Sequence, residues 1–405
     1  MGDEAAGGAG EDQEEQMADA KAAARDRIEG AKQQLLDLSH RIHAEPELGM
    51  EEEHACAWLS DALSAAGFAV ERGVGGLDTA FSARSGPGPF RVVVCAEYDA
   101  LPGIGHACGH NLIAAMSAGA GLGLAAVADD IGVEVTVLGT PAEEGGGGKI
   151  ILLEQGAFAG AHAAMMVHPS PFDLVEMPII AVDQLNVRYT GKEAHASAFP
   201  ELGINAADAM VIAQTAIGLL RQHLRATDRV HGIVTKGGDA PNVVPAHTEG
   251  TWLVRAHDLD ELRDVEAKVM RCFEAGALAT GATLQVTPEH PPYAEMHQDP
   301  ALASLYRGNA EALGRKFLEL GNVERTAGST DMGNVSLAVP SIHPSIGIDS
   351  LPAVNHQPEF TAQCITPVAD KAVMDGAIAM AWTVIDAATD DQLRARLMTA
   401  GHPTT

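Results

Sequence analysis

The chain has 405 residues, 46% hydrophobic and 20% charged, with a formal net charge of −29. This is the composition of a soluble globular protein long enough for two domains, and its acidity argues against nucleic acid, which rewards basic surfaces. Five scattered cysteines, Cys56, Cys95, Cys108, Cys272 and Cys364, are not a disulfide framework and point to a reducing, cytoplasmic setting; with no basic segment followed by an apolar stretch near Met1, no signal peptide is expected.

In chain order, residues 1–18 are Gly-, Ala- and Glu-rich without apolar periodicity and are expected to form a disordered acidic tail. Ile28, Leu35, Leu36, Leu38 and Ile42 carry a helical pattern over 18–43, ended by Glu45-Pro46-Glu47. A second helix is predicted over 52–66, closed by Gly67 at a position that suits positive φ. Strands at 68–72, 79–83, 91–96 and 133–138 then alternate with a helix at 111–126, and 163–167 is a further apolar run. No uninterrupted apolar stretch reaches the ~18 residues of a membrane span; the longest candidate, 112–127, is broken by Ser117 and three glycines. Alternation of this kind predicts an α/β domain, a mainly parallel sheet flanked by helices.

Near Val182 the pattern changes. Residues 184–190 alternate as a half-exposed strand should, followed by a helix at 206–224, strands at 233–234 and 248–255, a helix at 261–279 and a strand at 283–287. The order β-α-β-β-α-β is that of a ferredoxin-like α+β unit. Residues 288–292 read as a return linker. The expected layout is a discontinuous catalytic domain, 19–183 plus 294–405, interrupted by an inserted domain, 184–293.

The chemistry gathers at predicted strand ends. After Val92-Val93-Val94, a loop carries Cys108 and His110 two residues apart, and thiolate with imidazole suits a borderline divalent metal. The run 133–138 ends in Glu143-Glu144 before four glycines, Gly145 to Gly148. Adjacent carboxylates are costly to place together unless a cation neutralises one, which leaves the other free as a general base. His168-Pro169 follows a third run, and Asn355-His356 offers a later loop histidine.

With Glu97-Tyr98-Asp99-Ala100-Leu101-Pro102, Gly105-His106-Ala107-Cys108-Gly109-His110-Asn111, Pro141-Ala142-Glu143-Glu144-Gly145, Gly191-Lys192-Glu193-Ala194-His195-Ala196-Ser197, Asn242-Val243-Val244-Pro245 and Gly328-Ser329-Thr330-Asp331-Met332-Gly333-Asn334, the chain resembles the M20-family metallopeptidases over roughly residues 25–390. The resembled branch is the amidohydrolase one, with aminoacylases, aminobenzoyl-glutamate hydrolases and Xaa-Arg-type dipeptidases. The resemblance implies a catalytic domain with a lid that commonly forms homodimers. It implies two divalent ions held by Cys108, His110, Glu144, His168 and His356, with Cys108 or a water between them, and leaves zinc, manganese and cobalt open. Glu143 is implied as general base, His195 as oxyanion donor, and Asn242 and Arg255 as ligands of the substrate carboxylate. Asp99 would orient a metal ligand. Where the wider family has a His-x-Asp pair this chain has Glu97-Tyr98-Asp99, and whether Glu97 touches metal or holds a neighbouring histidine stays open.

Blander readings apply elsewhere. His106 is expected to be a structural hydrogen-bonding residue, His162 a satisfied histidine, and His343 of little functional weight. The Gly145 to Gly148 tract lacks phosphate-loop spacing and reads as a flexible turn near the metals. The predicted activity is hydrolysis of a small dipeptide with a basic C-terminal residue, or of an N-acyl amino acid, with aminobenzoyl-glutamate hydrolysis as the alternative. A catalytically silent scaffold and a cysteine hydrolase using Cys108 are the readings from other classes.

Overall fold

The computed structural model describes residues 4–319 and 328–400. They fall into two compact units: one from 4–178, 296–319 and 334–400, the other from 179–295 and 328–333.

The first unit is built on a six-stranded sheet in the order Ala69–Arg72, Phe81–Ser85, Val133–Gly139, Phe90–Ala96, Ala163–Met165, Ser341–Ile342. The last four strands run parallel and the first two pair antiparallel, so the sheet is mainly parallel with a mixed edge. The central strand Phe90–Ala96 is buried at six of its seven positions, as expected where helices cover both faces. Helix His110–Ala125 is buried from His110 through Leu124 and packs against Pro367–Thr389. The second of these is long and apolar enough to cross a membrane, but 83% of its apolar window lies inside the protein.

Residues 4–18 do not form the expected disordered tail. A helix runs Glu4–Gly30. Its beginning mixes alanine, glutamate and glutamine, good helix formers, with Gly7, Gly8 and Gly10, poor ones, and it leads directly into a stripe of buried Ala20, Ala24 and Ile28. Once that stripe is packed, extending the helix backwards costs no new nucleation. Residues 1–3 lie outside the described residues. The predicted helix over 18–43 is also divided, at Ala31, into Glu4–Gly30 and Lys32–Ala44.

The second unit has the order strand Ala181–Thr190, helix Ala206–Leu220, strands Arg229–Lys236 and His247–Ala256, helix Leu259–Thr280, strand Thr283–Pro288. All pairings are antiparallel, with Ala181–Thr190 and His247–Ala256 central and Arg229–Lys236 at one edge. Both helices start on side-chain caps: Asn205 accepts from Ala207 N, and Asp258 from Glu261 N at 2.8 Å. Val187, Tyr189, Met210, Trp252, Val254 and Phe273 form the centre of its core. The unit's limits differ from the predicted 184–293: it begins at Ile179 and takes in Gly328 to Gly333. Gly328 pairs with Ile179, and Ser329 Oγ donates to Ile180 O at 2.8 Å, tying that stretch here.

Candidate metal centre

Parallel strands place their carboxyl ends on one edge of a sheet. Phe90–Ala96 pairs with Val133–Gly139 so that Ala96 meets Gly139, and with Ala163–Met165 so that Val94 meets Met165. The loops that follow therefore leave side by side, carrying Cys108 and His110, Glu143 and Glu144, and His168. His356 joins them because its own N–H donates to Ala107 O at 2.9 Å, one residue before Cys108.

The backbone is bent to present these groups. Gly109, between the two donors, has φ +79, and a Cβ there would stand 2.9 Å from Pro169 Cγ, so glycine is required on both counts. Ala142 and His356 adopt positive φ, 55° and 67°, without being glycine. Such conformations persist only where the surroundings over-determine them. For Ala142 one anchor is visible: its N–H donates to the buried Glu52 carboxylate at 2.7 Å.

Cys108 is the hub. Its sulfur is 3.4 Å from His168 Nε2 and 3.5 Å from His356 Nε2. Two sets of donors within reach of a single ion share it: Cys108, His110 and His168, and Cys108, Glu144 and His356. His110 Nε2 lies 3.8 Å from Glu144 Oε1, and Glu144 Oε2 lies 3.6 Å from His356 Nε2. Glu143 is buried 3.9 Å from His110 Nε2 and forms a third group with His110 and Glu97. The five expected ligands and the expected base thus meet in one place.

Hydrogen bonds aim the rings. His110 Nδ1 donates to Asp99 Oδ1 at 2.7 Å, and Asp99 Oδ2 accepts Glu144 N at 2.9 Å, so one carboxylate orients two candidate ligands. His168 Nδ1 donates to Pro169 O at 2.8 Å, which leaves its Nε2 lone pair toward Cys108. Burial and the nearby His343 push His168 down to about 3, so it is the neutral, ligating form. Burial also holds the Cys108 thiol well above its usual range and raises Glu144. Burial disfavours charged His110 as well, but the Asp99 and Glu97 carboxylates outweigh it and hold that imidazole well above its usual range. The same carboxylates attract a metal cation, which competes with that proton for the ring nitrogen.

This donor set fits a divalent metal. His110 Nε2, Glu97 Oε2 and Glu144 Oε1 are buried with no hydrogen-bond partner among the described residues, a costly state that a shared cation relieves. Thiolate, imidazole and carboxylate are all donors that divalent metal ions accept.

His195, Asn242 and Arg255 belong to the second unit. His195 is exposed and bridges to Val243, next to the exposed Asn242, whose carbonyl accepts Ala196 N at 3.0 Å. His195 Nδ1 accepts the N–H of Ala198 at 3.2 Å, which places the ring proton of the neutral form on Nε2. Arg255, half-buried, donates to Ser329 Oγ at 2.9 Å. His106, as expected, is buried and donates to Ile42 O at 3.1 Å. His162 Nδ1 accepts the N–H of Arg91 at 2.9 Å.

Two features were missed. Lys149, fully buried after the glycine tract, reaches Glu97 Oε1 at 2.5 Å. His343, given little weight from sequence, is buried with its ring 5.5 Å from that of His168. The signal for His343 was its His-Pro pairing, a repeat of His168-Pro169; nothing in the sequence marks Lys149 as inward-facing.

A sequence profile described as peptidase family M20/M25/M40 matches residues 88–371. An Xaa-Arg dipeptidase of Mus musculus is 41% identical over 384 residues, 90% of this chain and 88% of its own. One of the subunits of the p-aminobenzoyl-glutamate hydrolase of Escherichia coli (strain K12) is 34% identical over 64% of this chain and 58% of its own. Among solved structures, a putative aminohydrolase from methicillin-resistant Staphylococcus aureus superposes with a TM-score of 0.73 at 19% identity, covering 90% of this chain and 99% of its own. A Bacillus subtilis protein described as a dinuclear metal-binding peptidase from the M20 family gives 0.62 at 20% identity, over 88% and 99%. At those identities the likeness is one of fold.

Proposed function

This chain belongs to peptidase family M20/M25/M40, and from that premise we propose that it hydrolyses the amide bond of small dipeptides with a basic C-terminal residue, using two divalent ions. The observation that carries the reading is the shared sulfur: Cys108 serves both donor sets, which divides His110 and His168 from Glu144 and His356. Identity of 41% over nine-tenths of the chain to an Xaa-Arg dipeptidase favours the basic dipeptide, as does the net charge of −29.

When bound, the ions supply Lewis acidity to the scissile carbonyl and to the attacking water. Glu143, adjacent to a ligand but assigned no metal, takes the proton of that water and returns it to the leaving nitrogen. His195 offers Nε2–H to the developing oxyanion; donors of this kind contribute about 3 kcal/mol each. Arg255 and Asn242 hold the terminal carboxylate, for which a guanidinium fork is suited. Homodimerisation through the second unit belongs to the same reading. Its outer strand Arg229–Lys236 pairs on one side only among the described residues and exposes Ile233 and Val234, while helix Ala206–Leu220 exposes Val211 and Leu219.

Hydrolysis of aminobenzoyl-glutamate is the second reading, favoured by the 34% identity to a subunit of that hydrolase. A panel of dipeptides ending in arginine, lysine, glutamate or leucine, together with aminobenzoyl-glutamate, is run on metal-loaded and chelator-treated protein. Release from the basic dipeptides that chelation abolishes is expected. Turnover of the glutamate conjugate alone refutes the basic-dipeptide assignment, and activity that survives chelation refutes the metal mechanism.

A further inference from the structure

Glu97 and Lys149 form a buried ion pair that the reaction above does not use. Both side chains are fully buried, with Nζ 2.5 Å from Oε1. Taking two charges out of water is expensive, and such a pair is often no more stabilising than apolar residues of the same volume. Stability alone is therefore a weak reason for its presence.

The other carboxylate oxygen suggests a stronger one. Glu97 Oε2 is buried without a hydrogen-bond partner among the described residues and stands 3.3 Å from His110 Nε2, which is in the same state. His110 Nδ1 is taken up by Asp99, so Nε2 is the ring atom that faces Glu97 Oε2. A ring nitrogen and a carboxylate oxygen 3.3 Å apart, in a group whose donor atoms could hold one ion, can both reach the same cation. Nitrogen and oxygen donors about 2.0–2.2 Å from one ion stand about 3–3.5 Å apart, the separation seen here.

We infer that Glu97 is a sixth metal donor, giving Oε2 to the same ion as His110 Nε2, and that Lys149 is a positioning residue that occupies Oε1 and restricts the carboxylate to one oxygen. The inference rests on the metal centre proposed above. It separates the two residues in sign. Glu97 adds affinity for the ion, whereas the Lys149 ammonium, one carboxylate away, subtracts from it.

The test is titration of chelator-stripped protein with Co²⁺ alone, followed by calorimetry and by the rise in apparent Tm. Wild type is expected to take up two equivalents. Glu97→Gln weakens one of them by at least about tenfold, the scale on which losses around metal sites register, and Lys149→Met tightens the same one. The double variant, which removes both charges together and so leaves no buried ion unpaired, keeps the weakened binding of Glu97→Gln. Wild-type affinity for both equivalents in Glu97→Gln or in the double variant overturns the inference. So does a parallel loss of affinity in both single variants, the mark of a purely structural pair. Failure of wild type to take up Co²⁺ is a separate result that overturns the metal centre itself.

Discussion

At the scale of single residues, two adjacent glutamates take different tasks because their surroundings differ. The Glu144 backbone N–H donates to Asp99, and its carboxylate faces His110 and His356. Glu143 is grouped instead with His110 and Glu97. Glu143→Gln is therefore expected to retain metal, measured by elemental analysis, while kcat falls by roughly 10²–10⁴-fold, the usual worth of a general base. Metal loss in that variant would show that Glu143 ligates instead. Most of this centre was legible in sequence because its donors sit at strand ends, where side-chain chemistry is not needed for packing. Lys149 was not legible. A lysine after four glycines reads as solvated, and only the fold brings it to a carboxylate 52 positions earlier. The open status of Glu97 had the same origin, since its partner could not be known.

At the scale of elements, the glycine tract illustrates a distinction that composition hides. Gly148 begins helix Gly148–Glu154, and a Cβ there would lie 1.9 Å from Pro141 O, a backbone atom that cannot step aside. Around Gly145 nothing comes within 4 Å. Gly148→Ala is expected to cost about 1–3 kcal/mol and to lower the apparent Tm, whereas Gly145→Ala leaves it unchanged; equal effects would contradict the packing argument. Strand Ala181–Thr190 and helix Leu259–Thr280 carry a second dependence, through Asp183 and Glu266. Burial, and then the neighbouring Asp183, raises Glu266 from 4.5 to about 7. Between those values the folded protein holds a proton that the unfolded chain has released. The stabilisation is complete below about 4.5 and is lost as pH rises through about 7. Glu266→Gln should flatten that slope in apparent Tm measured from pH 5 to 8, and an unaltered slope would exclude the pair as its source. Elements with strong periodicity were foreseen to within a few residues. The helix over 4–18 was not, because its polar composition is shared by disordered chains and its order depends on the packed stripe that follows it.

At the scale of the whole molecule, charge is the property that composition reports most directly. With 55 acidic against 26 basic residues, the field surrounding the protein is negative at neutral pH and attracts cations over distances up to the Debye length, about 8 Å at physiological ionic strength. A dipeptide ending in arginine or lysine gains from that attraction before it makes any contact, while the electrically opposite aminobenzoyl-glutamate is repelled. The attraction acts on encounter and leaves the chemical step alone, so it belongs to kcat/KM and not to kcat. Raising salt from 20 to 300 mM, which shortens the screening length severalfold, should lower kcat/KM for a basic dipeptide with kcat nearly constant. The same change should leave a neutral dipeptide unaffected and raise kcat/KM for any acyl-glutamate that is turned over. Loss of kcat in parallel for all three substrates would point to salt acting on the metals or the fold, and a basic dipeptide indifferent to salt would remove the acidic field from the account of substrate choice.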